Sequence, residues 1–98
     1  MAKRDEFVDA LKAQIDRWNS DLARCEKEAA GARADLRKKY EEQIATAKAQ
    51  REKALYQLKL LEGASAAAWS DLSRGAEEAA KRFREAVAEA SEHFAKRP

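Results

Sequence analysis

The sequence predicts an all-α protein, a long antiparallel helical hairpin or coiled coil with an unpaired N-terminal arm, and therefore oligomeric. Three observations carry that expectation. Charged residues make up 39% of the 98 positions, with three Gly and one Pro, the composition of long helices and coiled coils, and Ala, Glu, Lys, Arg and Leu are the strongest helix formers. Apolar residues recur in steps of three and four along nearly the whole chain, the heptad signature of a helix with one buried stripe. One stretch, LLEGASAAAWSDL at residues 60–72, pairs a glycine with a capping serine, the chemistry of a turn between helices.

The first helix is expected over about residues 4–62. Its stripe runs Val8, Leu11, Ile15, Trp18, Leu22, Cys25, Ala29, Ala32 and Leu36 with steps alternating three and four. Two successive steps of four then reach Tyr40 and Ile44, a stutter that locally unwinds a supercoil. The stripe resumes at Ala47, Arg51, Ala54, Leu58 and Leu61. Arg51 is the odd member, a charge that should snorkel outward from the seam. Asp5 and Glu6 open the helix and Lys96 and Arg97 close the chain, as the helix dipole prefers. Pairs such as Arg37 with Glu41, Glu78 with Arg82 and Glu92 with Lys96 are spaced i,i+4 on solvated faces, each contributing about 0.2–0.5 kcal/mol.

The turn is expected at about 63–65, with Gly63 left-handed at the helix C-terminus and Ser65 capping the next helix. The competing reading is one uninterrupted helix, since a glycine costs only about 1 kcal/mol in a helix interior. Gly31 and Gly75 lack such neighbours and are read as lying within helices. The second helix, about 65–96, carries Trp69, Leu72, Ala76, Ala79, Phe83, Val87, Ala90 and Phe94 on its stripe. If the chain reverses at 63–65, facing residues pair Trp69 with Leu58, Leu72 with Leu55 or Ala54, Phe83 with Ile44, and Val87 with Tyr40. At 1.5 Å per residue the second helix spans roughly 48 Å against about 88 Å for the first. Val8, Leu11, Ile15, Trp18, Leu22 and Cys25 then find no cover in the chain. Burying each large side chain is worth about 1.5–3 kcal/mol, so these six residues are the expected oligomer interface, most simply of a homodimer.

Function is bounded more by exclusion than by motif. Net charge is +2 and basic runs are short, so no specific nucleic acid is expected as a partner. No apolar stretch is long enough to span a bilayer, and the N-terminal residues do not read as a secretory signal; the cytoplasm is the expected location. Cys25 is the only cysteine, read as a small buried hydrophobe on the stripe; the alternative is an interchain disulfide or redox switch between two parallel arms, a bond that is rare in a reducing cytosol. His93, the single histidine, is read as a surface residue. No phosphate-binding loop, nucleophile motif or metal-ligand cluster is present, so neither an enzyme, a cofactor nor a metal site is expected.

The segments KRDEFVDALKAQIDRWN and ASAAAWSDLSRGAEEA resemble small bacterial Ala- and charge-rich coiled-coil proteins of similar length. The pair Ala68-Trp69 and Gly75 match their pattern. That resemblance implies a helical fold and no established activity, so it transfers no functional residue. The expected function is that of a self-associating structural or interaction protein, a scaffold or adaptor that takes a protein partner. The alternatives are a lipid- or granule-surface protein resembling apolipoproteins and phasins, and a holdase-type chaperone. The stripe is narrower than interfacial helices usually carry, which makes a membrane surface the weaker partner.

Overall fold

The structure, a computed structural model, describes residues 2–95, and the surroundings of side chains 4–92. Among them are three α-helices and no strand: α1 (Ala2–Ala30), α2 (Ala34–Glu62) and α3 (Trp69–Ala95). They run up, down and up in a bundle of 51 × 19 × 16 Å. The expected positions of Phe94 on the stripe, of His93 at the surface and of the Glu92–Lys96 pair lie outside the described side chains.

The helix expected over 4–62 is two helices. Residues 31–33 leave helical geometry, and α1 folds back antiparallel to α2. The reason is the stripe itself. Folding back buries Leu11, Ile15, Leu22, Cys25 and Ala29, and each large side chain so covered contributes about 1.5–3 kcal/mol. Interrupting the helix at Gly31 gives up a few backbone bonds at a residue that already costs about 1 kcal/mol there. Burial wins, and the N-terminal arm is not unpaired.

The second connection also departs from expectation. It occupies residues 63–68 rather than 63–65, and Gly63 is not left-handed but sits at φ −97°, ψ 8°. Ser65 organises it: its Oγ and its carbonyl both accept from the Ala68 N–H at 3.2 Å, and the carbonyl accepts from Trp69 N–H at 3.0 Å. This is N-cap geometry, placed so that a short turn over residues 66–68 leads into α3. The longer connection slides α3 along α2. Gly75 lies against Gln57, and Ala79 and Arg82 share a groove with Lys53 and Gln50, a register about five residues away from the expected one. The anticipated pairs of Trp69 with Leu58, Leu72 with Leu55, Phe83 with Ile44 and Val87 with Tyr40 are displaced accordingly.

The core is one continuous cluster running the length of the bundle. Eight of its eighteen buried residues are Ala, and its largest fully covered side chains are Phe83, Leu22 and Leu61. Small residues allow close helix approach and bury little area each, so most of the packing energy rests on those few large side chains. Tyr40 and Ile44, the stutter residues, are both buried. Arg51, half-buried, donates to Asn19 Oδ1 at 2.6 Å, so its charge leaves the seam as expected and ties α2 to α1.

Candidate interaction surface

The six residues expected to form an oligomer interface are instead the α1 contribution to the core. Leu11, Ile15, Leu22 and Cys25 are buried, and Val8 and Trp18 pack half-buried against them. They meet α3 in parallel as well as α2. Trp18 stands edge-on to Phe83 with centroids 6.1 Å apart, and Phe7 edge-on to Trp69 at 5.7 Å, an arrangement the ring quadrupoles favour. The large aromatics of α3 therefore find aromatic partners on α1, which the hairpin reading had left out. Cys25 Sγ lies 3.2 Å from Ser91 Oγ, a buried thiol with a polar neighbour on α3.

At the open end of the bundle, α1 is clasped to the second connection. The Arg4 guanidinium donates to the Ala64 carbonyl at 2.7 Å and lies 4.3 Å from the centroid of the Trp69 ring. Stacked over an aromatic face, it gains about 0.5–1 kcal/mol beyond the hydrogen bond. Lys12 with Glu62 at 3.3 Å and Glu26 with Lys48 at 3.0 Å pair α1 to α2 across the surface. These are exposed pairs worth between 0 and about 1 kcal/mol. They set the register more than the stability.

No polar or charged residue is buried among the described residues, and no group of three metal-ligating side chains comes together there. No helix there is long and apolar enough to cross a membrane. The grooves between helices are shallow and lined by mixed charges, as at Arg4, Asp9, Lys12 and Glu62. What the surface does offer is apolar. Leu36, Leu55, Tyr56 and Leu60 are exposed by 40%, 41%, 60% and 37%, all on α2. Leu55 belonged to the expected hairpin packing; with the register displaced it lines a groove with Lys12, Asp16 and Lys59 instead. Tyr56 and Leu60 fall off the heptad stripe, and that was the signal available in the sequence for them.

No family model matches the chain, and no curated protein or solved structure is significantly similar to it.

Proposed function

We propose that this chain is a non-enzymatic structural or interaction protein, a helical bundle that works through helix–helix contact with protein partners, a further copy of itself included. The observation that carries this reading is the separation of charged from apolar side chains in the described residues. The buried positions are apolar apart from the Tyr40 hydroxyl and the Cys25 thiol, every charged side chain keeps some exposure, and large apolar side chains remain exposed on one helix. Such a chain has contact area to offer, and its described residues enclose no polar site for a substrate. The test is sedimentation velocity from micromolar to millimolar concentration. A mass that rises with concentration supports self-association; a monomer throughout removes it.

A lipid-surface role is the second reading, favoured by the Ala-rich core. A bundle held by few large side chains can open at low cost and lay its apolar stripes on an interface. Co-flotation with anionic vesicles, accompanied by loss of the Trp18–Phe83 ring contact in fluorescence, would support it. A bundle that stays in solution with unchanged fluorescence excludes it.

A further inference from the structure

We infer that α1 is an exchangeable element: two copies of this chain trade it by straightening residues 31–33 into helix, so that each α1 fills the α2–α3 groove of the other copy. The inference rests on the self-association proposed above and specifies its mode.

The link at 31–33 is short and weakly terminated. Arg33 stands at the N-cap of α2 with no side-chain cap hydrogen bond, at a position where Ser, Thr, Asp or Asn would satisfy a free N–H. Gly31 is not left-handed, and no described residue has a positive φ, so the usual glycine stop is absent. The link is held by two short backbone bonds that close the end of α1, Gly31 N–H to the Glu28 carbonyl at 3.2 Å and Ala32 N–H to the Ala29 carbonyl at 3.1 Å, by the Arg37 guanidinium donating to the Ala32 carbonyl at 3.1 Å, and by an exposed Arg33–Asp35 pair. Short hinges of this kind are where helical proteins exchange elements.

The apolar stripe, meanwhile, does not notice the break. Ala29, Ala32 and Leu36 keep the three-and-four spacing through it, so a straightened helix would carry one continuous stripe from Val8 to Leu61. Ala29 and Ala32 are buried in the closed chain, but Leu36 is 40% exposed. Its place in the exchanged pair accounts for it. Lys12–Glu62, Glu26–Lys48 and Asn19–Arg51 join α1 to α2, and their midpoints fall at residues 37, 37 and 35. When two straightened helices pair antiparallel in that same register, the two-fold axis passes at residues 35–37. Leu36 of one copy then meets Leu36 of the other.

Closed and exchanged forms share the same core contacts. They differ in the hinge, in the Leu36 pair, and in the entropy of bringing two chains together. Low concentration therefore favours the closed monomer and high concentration the exchanged dimer, with a slow interconversion because α1 must leave its groove and release the Arg4 clasp.

The experiment refolds the full chain from denaturant at high concentration and separates the products by gel filtration with light scattering. Wild type is expected to give monomer and a dimer that reverts slowly on dilution. Ala34→Pro suits the closed form, because Arg33 already has the extended backbone (φ −61°, ψ 150°) that precedes proline and a first-turn N–H is free. In a straightened helix the same proline sits in the interior, so it should weaken the dimer by more than about 100-fold. Gly31→Ala should strengthen it by about fivefold per hinge. Leu36→Lys should leave the monomer's unfolding midpoint unchanged and weaken the dimer by about tenfold or more. Exchange is read directly by refolding together chains labelled at Ala23 and chains labelled at Ala49, in a Cys25→Ala background. Both positions are exposed and lie near the Glu26–Lys48 pair, so strong energy transfer between the two labelled chains is expected. A dimer that forms equally in Ala34→Pro, or shows no such transfer, overturns the exchange and leaves self-association standing. The absence of any dimer in wild type and Gly31→Ala overturns both.

Discussion

The two connections of this bundle are built on different principles. Residues 63–68 form a specified turn, in which Ser65 supplies two acceptors to the Ala68 and Trp69 N–H groups that lead into α3 and the Ala64 carbonyl receives Arg4 from across the bundle. Residues 31–33 have no capping side chain and no left-handed glycine. The first kind of connection is written in its own residues. The second exists because two helices that it joins have apolar stripes to cover. Reversal of the chain is thus a local property at one end and a tertiary one at the other.

The largest expected effect probes the tertiary side of this comparison. Leu22 is 0% exposed on α1, so Leu22→Ala should cost about 2–5 kcal/mol in chemical denaturation. An N-terminal arm outside the bundle would lose almost nothing on that substitution in the monomer, which makes the measurement a direct check on whether α1 folds back. Next in size is the local side. Ser65→Ala removes the side-chain acceptor at the specified turn and should cost about 1 kcal/mol, read as a lower denaturation midpoint at unchanged slope.

The converse change sharpens the contrast. Arg33→Ser places a capping residue where the first connection lacks one, and should raise stability by about 0.5–1 kcal/mol while giving up only the exposed Arg33–Asp35 pair. If the monomer gains nothing, the first connection is already as well terminated as the second. Smallest of all, Glu62→Gln removes the exposed pair with Lys12 and should change stability by less than about 1 kcal/mol, an effect that fades at high salt.

Much of the fold was readable from spacing. The stripe positions Leu11, Ile15, Leu22 and Cys25 on α1, Tyr40, Ile44, Leu58 and Leu61 on α2, and Phe83 and Val87 on α3 are all buried, because a heptad pattern states which face of a helix meets another. Ser65 as a cap was readable too, since its hydroxyl acts on neighbours in the chain. The partner of α1 was not. Gly31 and Gly75 look alike in sequence, yet one lies in a break between helices and the other inside α3, packed closely enough that a Cβ there would come within 3.0 Å of Gln57 Oε1. Leu36 lies on the stripe like its neighbours and is left exposed, which spacing alone cannot reveal.

The sequence by itself determined that this chain is helical, which face of each helix turns inward, and where one turn is capped, because propensity, periodicity and capping act within a few residues of one another. Only the tertiary structure decided that α1 turns back at 31–33, that Phe83 meets Trp18 and Trp69 meets Phe7, and that α3 sits about five residues further along α2 than a minimal turn would place it. Those outcomes depend on which of several apolar stripes covers which, a competition among burial energies of similar size between segments far apart in the chain.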